Sequence, residues 1–585
     1  MTDETLFPDF GTLDTSAPDW AANRPVRIVL MGDFSAGAAA GRLETGPDLA
    51  SRKMLPVDFE SLEDVLARLD VKLVVPMGNE GGIELEFSND LDDFSPDELY
   101  DNVELFEELY DLSGRLSNSS TAAEVLSWST DRKHRVSRTR HRSRSGAPAA
   151  DLKLSDLAEL EGQEPDIDTD AYPEDLFPAI VGPFVDPADE PDVNSLTESV
   201  DEALADAMRA VLHNPEFQNL ESLWRGLDML LHRIDTGPRL QVLLLDMSAE
   251  EFAADLAKVD DLSESGLYSL LVDKPSQEEN GGVSMICGLY QFEASPTHTE
   301  LLGRMARIAA HGGASFVTSM ASDTLMDRKV EPHPLVAKGI QALRSLSAAS
   351  RLALLTPRFM LRYPYGKRSD PISSFEFEEF TASDGLRGML WGHPAILAAC
   401  ALAGPNGKTM SISDLPFYYM VDKHGDQVAL PCTERLINTD KATQLSQYGI
   451  SSVMAYKGQP EVRFAGLVTV NGEEIELLMT SKLAPQVAVA AMAAPATAKA
   501  AAPAAPEAED DDIDLEDSGT EDSSDDDLDD LLAGFDDDDD DAGDSDDDTD
   551  LDDLLASFGD DDDDDEADDD DEMDSDLADL LASLD

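Results

Sequence analysis

Only three cysteines, Cys287, Cys400 and Cys432, occur in 585 residues, far apart and without a CxxC pair. That excludes a disulfide framework and a cysteine zinc site, and points to a reducing compartment. A basic start followed by an apolar run is also missing. The opening residues MTDETLFPDFGTLDTSAPDW are acidic and broken by prolines, so no secretory signal is expected. The most apolar long stretch, 483–505, is Ala-rich and interrupted by Pro485, Pro495 and Pro503, which reads as a linker and not as a membrane span. Basic residues are scarce: 42 Lys and Arg stand against 123 Asp and Glu, a formal charge of -81. Phosphate contacts need a basic face, so nucleic acid is not an expected partner. Together these absences predict a cytoplasmic protein.

Catalytic patterns are missing too. The nine histidines form no HExxH and no pair at metal-ligand spacing, and no serine sits in a GxSxG elbow. The segment GDFSAGAAAGR, starting at Gly32 behind an apolar strand, invites a phosphate-loop reading. A P-loop needs Lys and then Ser or Thr after its last glycine, whereas Gly37 is followed by Ala38 and Ala39. His298, near Glu293 and Glu300, suggests either an acid/base group or a solvated face. No catalytic, cofactor-binding or metal-ligating residue is assigned, and no cofactor is expected.

What is there reads as a mixed α/β chain in pieces. Residues 1–23 are expected to be disordered. A first domain spans 24–126: an apolar strand at Val26–Met31, a helical pattern at Leu62, Val65, Leu66 and Leu69, and strands near 72–76 and 83–87. Ser95 and Pro96 then open an amphipathic helix carrying Leu99, Val103, Phe106, Leu109 and Leu112. Residues 127–194 read as a linker, first basic and then acidic and proline-rich. Its segment DRKHRVSRTRHRSRS at 131–145 packs seven Arg or Lys with no aromatic residue to stack a base. It suits an anionic lipid or RNA, a plain tether, or the acidic end of the chain itself. A second domain, 195–483, alternates helical and strand patterns, with helices at Val200–Leu212 and Phe217–Leu231 and a strand at Leu240–Leu245. An Ala/Pro linker follows at 484–506.

The last piece, 507–585, has no Lys or Arg and is expected to be disordered. It repeats one phrase three times: DLDDLLAGF at 527–535, DLDDLLASF at 550–558 and DLADLLASL at 576–584. The apolar residues Leu528, Leu531, Leu532 and Phe535 fall on one helical stripe, as do Leu551, Leu554, Leu555 and Phe558, and Leu577, Leu580, Leu581 and Leu584. Two turns of helix do not persist alone in water. The repeats therefore read as partner-binding segments that become helical in a groove and gain avidity from repetition, or as a solubilising tail with incidental leucines.

Two stretches resemble the sheath subunits of the bacterial type VI secretion system. Residues 24–126 are similar to the small subunit (TssB, or VipA) at VRIVLMGDFS (26–35), Arg52-Lys53, Val74-Val75-Pro76 and LDDFSPD (91–97). Residues 195–464 are similar to the large subunit (TssC, or VipB) at HNPEFQNLESLWRGLDMLL (213–231), Gly281-Gly282, YQF (290–292) and TPR (356–358). The likeness continues at RYPYG (362–366), FEFEEF (375–380), LWGHP (390–394) and LSQYGISSVMAYK (445–457).

The resemblance implies a non-enzymatic structural protein, a fused pair of sheath subunits that stacks around an inner tube and contracts. It implies as partners other sheath subunits, inner tube and baseplate proteins, and a AAA+ recycling ATPase. In the family that ATPase reads a Leu-rich helix near the start of the large subunit, and Leu152, Leu154, Leu157 and Leu160 lie at a comparable place. The family's large subunit continues well past the part matching Tyr456-Lys457, whereas here the linker begins after Leu483. An adaptor that docks on the machine and captures clients through its tail is the alternative reading.

Overall fold

A computed structural model describes residues 8–477, apart from 22, 79–80, 88–89, 129–142, 163–166, 186–192, 322–324, 326–332, 382–384, 406, 422–426 and 476. The chain divides into two units, 1–483 and 484–585, and every described residue belongs to the first. The tail repeats and most of the basic segment lie outside the described residues.

The fold is α/β. The strands are β1 (Val26–Gly32), β2 (Leu55–Val57), β3 (Val71–Met77), β4 (Gly81–Phe87), β5 (Leu240–Asp246), β6 (Met285–Phe292), β7 (Ser315–Met320) and β8 (Leu352–Thr356). They continue with β9 (Phe359–Met360), β10 (Trp391–Gly392), β11 (Ser411–Ser413), β12 (Tyr419–Val421), β13 (Gln427–Ala429), β14 (Ile450–Ala455) and β15 (Glu461–Phe464). Nine of them form one sheet in the order β11-β15-β14-β8-β7-β6-β1-β5-β2, and the rest pair as β3-β4, β9-β10 and β12-β13.

The position of β1 joins the two regions. It runs parallel to β5 on one side, from Val26 opposite Leu240 to Gly32 opposite Asp246, and parallel to β6 on the other. A strand of the first region is thus interior to a sheet otherwise built almost wholly by the second. Its composition suits that place: VRIVLMG is apolar without polar alternation, as a parallel strand covered on both faces must be. Successive side chains enter opposite layers, Ile28 and Leu30 into one core and Val29 and Met31 into the other. By contrast β3 alternates, with Lys72 and Pro76 exposed between buried Val71, Leu73, Val75 and Met77, because that hairpin has one wet face.

The first core layer holds the helices Val193–Leu212, Pro215–Arg233 and Pro394–Ala403 together with the β3-β4 hairpin and the helix Glu104–Arg115. The second holds Ala249–Ala257, Pro296–Gly312, Pro334–Ser345 and Thr439–Gln447. The helix Pro394–Ala403 is buried all round, which its run of Ala, Ile, Leu and Cys permits.

Three places differ from the expectation. The helix after Ser95 is two helices, Pro96–Asn102 and Glu104–Arg115, with Val103 extended at φ -108, ψ 108. The break turns Tyr100 toward Phe375, 5.6 Å between ring centres, while Leu105, Phe106, Leu109 and Leu112 enter the core. Within the stretch read as a linker, Pro173–Val181 is a helix whose Leu176, Phe177, Ile180 and Val181 are buried, an apolar stripe too small to stand out by period alone. The N-terminal stretch is ordered from residue 8: Thr12 pairs with Asp261, and Phe10 covers Gly303 so closely that a Cβ there would lie 2.1 Å from its ring. Arg304, fully enclosed, fixes this segment by donating to the carbonyls of Asp9 (3.0 Å), Leu256 (2.9 Å) and Val259 (2.6 Å).

Candidate functional site: the polar seam between the two regions

Where β1 and β5 end side by side, the chain turns from apolar to charged. Asp33 is buried, and its carboxylate accepts the N–H groups of Gly37 (2.7 Å) and Ala38 (2.9 Å). Asp246, at the end of β5, accepts the Ser35 N–H at 3.0 Å and its hydroxyl at 2.7 Å. The amides that a phosphate would need in this loop are therefore occupied by the protein's own carboxylates. That closes the phosphate-loop reading on geometry as well as on motif.

Two arginines of the first region complete the seam. Arg42 lies 3.3 Å from Asp33, 2.9 Å from Asp246 and 3.5 Å from Glu251. Arg52 pairs with Glu251, and donates to Glu44 at 2.8 Å and to the Asp246 carbonyl at 2.7 Å. Glu251 in turn belongs to the capping box of helix Ala249–Ala257, its N–H donating to the Ser248 hydroxyl at 3.0 Å and its carboxylate accepting the Ser248 N–H at 3.1 Å. Nearby, Arg144 donates to Glu250 at 3.0 Å, and its N–H donates to Glu216 at 2.6 Å. The last arginine of the basic segment thus serves an internal carboxylate.

Burial, reinforced by the Asp246 carboxylate, pushes Asp33 up to about 7 against the pull of Arg42. Burial opposes the charge of Arg42, but Asp246, Glu251 and Asp33 outweigh it and hold the guanidinium above its usual value. Beside the cluster, Tyr290 on β6 donates its hydroxyl to the Met247 carbonyl at 2.8 Å. Burial, then Glu251, Asp33 and Asp246, lift its phenol well above the ordinary range. The seam is further pinned by Trp224, whose indole N–H donates to the Phe34 carbonyl at 3.0 Å and whose ring meets Phe34 edge-on at 5.4 Å.

A second buried network lies within the large region. Arg362 donates to Glu221 (2.7 Å) and Glu379 (2.7 Å), while Arg225 donates to Glu221 (2.7 Å). Glu379 also accepts the Tyr365 N–H at 2.8 Å, and the Arg362 guanidinium lies 4.3 Å from the centre of the Tyr365 ring. Burial raises Glu221, but Arg362 and Arg225 overcome it and hold the carboxyl below its usual range. The stretches HNPEFQNLESLW, RYPYG and FEFEEF thus meet at one ion cluster. LWGHP has a separate role: His393 caps helix Pro394–Ala403 by accepting the Ala395 N–H at 3.2 Å, and its Nε2 meets the Tyr290 carbonyl at 3.1 Å. Burial drops it to about 4, so it stays neutral.

His298 is neither a solvated-face residue nor placed for acid/base work. The residue is fully buried, and its Nδ1 accepts the Glu293 N–H at 2.7 Å, a structural task. Among the described residues no group of three or more His, Cys, Asp and Glu is placed to hold a metal. Nor is any described helix long and apolar enough to cross a membrane.

The Leu-rich stretch is only partly available. Leu154–Leu157 is a single helical turn, Leu157 is fully buried, and Leu152, Leu154 and Leu160 are half-buried against the second core layer. The Leu152 carbonyl also accepts the Thr297 hydroxyl at 2.6 Å. The twelve apolar residues of the tail repeats lie outside the described residues.

Sequence reasoning passed over Asp33, Arg42, Asp246 and Glu251. For the two aspartates the available signal was local: an acidic residue at the end of each of two largely apolar strands, at the carboxyl ends where α/β sheets concentrate function.

Comparison with known proteins fits this geometry. Residues 15–127 match a family model described as type VI secretion system VipA, and residues 194–471 match one described as VipB (EvpB), tail sheath N-terminal domain. A 223-residue stretch is 30% identical to the type VI secretion system sheath protein TssC1 of Pseudomonas aeruginosa, covering 35% of this chain and 44% of that protein. The chain therefore spans less than half the length of that curated relative. With the small-subunit match supplying β1 and the large-subunit match supplying its neighbours on both sides, the chain belongs to the type VI secretion sheath family and carries both subunit types in one polypeptide.

Proposed function

We propose that this chain is a structural subunit of a type VI contractile sheath, delivering small and large subunits as one prefolded piece. The observation that carries the reading is the interior place of β1 between β5 and β6, which leaves the first region unable to leave without splitting the sheet. Withdrawing such a strand would expose two unpaired edges at once. No turnover is assigned: the buried charges of both networks face one another, which suits assembly through surfaces.

Its partners on this reading are other sheath subunits, with the inner tube and baseplate as further contacts in the cytoplasm. The Leu528, Leu551 and Leu577 repeats, or Leu152–Leu160 once released from the second core layer, would recruit a recycling ATPase or another component of the machine. The adaptor alternative draws on the tail, since three copies of one acidic stripe suit multivalent capture.

Electron microscopy of the purified full chain at rising concentration tests the choice. Tubes or rings are the expected result. A particle that stays monomeric at high concentration, with and without residues 506–585, would overturn the sheath reading in favour of the adaptor.

A further inference from the structure

The seam is unbalanced in charge. Asp33, Asp246, Glu251 and Glu44 converge on Arg42 and Arg52. Glu44 keeps 42% of its side chain in solvent, but the Asp33 and Glu251 side chains have none and Asp246 only 13%. Three enclosed carboxylates thus share two guanidinium groups. A low-dielectric cluster with surplus negative charge lowers its free energy by taking up a proton.

We propose that the seam is a proton-linked clasp: a proton held at Asp33, where it faces Asp246, tightens the attachment of the first region to the second, and its loss loosens that attachment. Two features of the geometry support this. The pair bridges the regions through short contacts, with Ser35 and Arg42 of the first region both bound to Asp246 of the second. Among the described residues the groups at Asp33 are Asp246 from β5, Tyr290 from β6, Ser145, and Arg42 from the stretch after β1, with Glu251 from helix Ala249–Ala257 joined through Arg42 and then Arg52 and Glu44 joined through Glu251. Among the described residues Arg42 is shared by Asp33, Asp246 and Glu251, and Arg52 by Glu251 and Glu44, so the two aspartates have one guanidinium between them.

The sign follows from linkage. Asp33 is raised in the folded chain to about 7, above the unfolded value of about 4. Between these values the folded chain holds a proton that the unfolded chain has released, so stability falls as pH rises through this window and levels off above it.

The test is urea unfolding of the full chain at steps from pH 5 to pH 8, for the wild type, Asp33→Asn and Asp246→Asn. The unfolding constant of the wild type relative to Asp33→Asn should rise by up to about tenfold per pH unit between pH 5 and 6.5, the signature of one linked proton. Asp246→Asn removes the negative neighbour and should move the window to lower pH. If Asp33→Asn fails to fold, the wild type against Asp246→Asn decides alone. Parallel curves for the wild type and whichever variants fold would overturn the clasp. The result is read without assembly, so it stands apart from the sheath reading.

Discussion

Two buried carboxylates, each in an ion cluster of the same molecule, are shifted in opposite directions. Around Arg362, two carboxylates meet two guanidinium groups, and Glu221 is held ionised below its usual range in spite of burial. At the seam, surplus carboxylate leaves Asp33 raised in spite of Arg42. Depth is the same, since Asp33 and Glu221 are both wholly enclosed. At equal depth the direction follows the guanidinium groups each carboxylate meets: Glu221, held by Arg362 and Arg225, is lowered, whereas Asp33 beside Arg42 and Glu379 beside Arg362 are both raised by burial. The balanced cluster lies inside one family region, and the unbalanced one lies where the two regions meet.

The contrast can be broken by removing a cation from the Arg362 cluster. Arg362→Met leaves Glu379 and half of Glu221 without a cation and should cost about 3–5 kcal/mol at pH 7, the cost of uncompensated buried charge. The sign with pH should also reverse. In the wild type the depressed Glu221 contributes stability above the ordinary carboxylate range that is lost only as pH falls through its lowered value. In the variant the orphaned carboxylates prefer to be protonated, so the deficit should shrink from pH 7 to pH 5. Urea midpoints at the two pH values measure it, and an equal deficit at both would remove the charge-balance account.

A smaller effect separates hydrogen bonding from charge at the seam. Trp224→Phe keeps the ring but deletes the donor to the Phe34 carbonyl, leaving a buried acceptor unmet, at a cost of about 1–3 kcal/mol. Nothing in that exchange titrates, so chemical unfolding should show the same loss at pH 5 and pH 8. The smallest change sharpens the count of seam charges. Glu44→Gln alters a carboxylate with 42% of its side chain in solvent, and should shift stability by a few tenths of a kcal/mol and leave the pH profile of the wild type in place. A flattened profile would instead bring Glu44 into the titrating group.

Much of the architecture was legible beforehand. The apolar run at Val26–Met31, the periodic leucines of Leu62–Leu69 and the capping signal at Ser95-Pro96 each became the element they predicted, because local burial patterns encode local structure. The split at Val103 was not legible, since Val103 is buried and fits the helical stripe, and only its extended backbone sets it apart. The helix Pro173–Val181 was hidden by its prolines and acidic flanks. The quoted motif stretches were visible as resemblance, yet nothing in RYPYG or FEFEEF alone says that Arg362 will grip Glu379 and reach across to Glu221.

The amino-acid order by itself determined the α/β class, the two family-like regions and the acidic repeats, because these depend on composition and on periods of a few residues. Only the tertiary structure decided that β1 lies between β5 and β6, and that Asp33 and Asp246 meet at one guanidinium, that of Arg42. The reason is distance along the chain: 213 positions separate those two aspartates, and no local pattern reports which charges folding will enclose together.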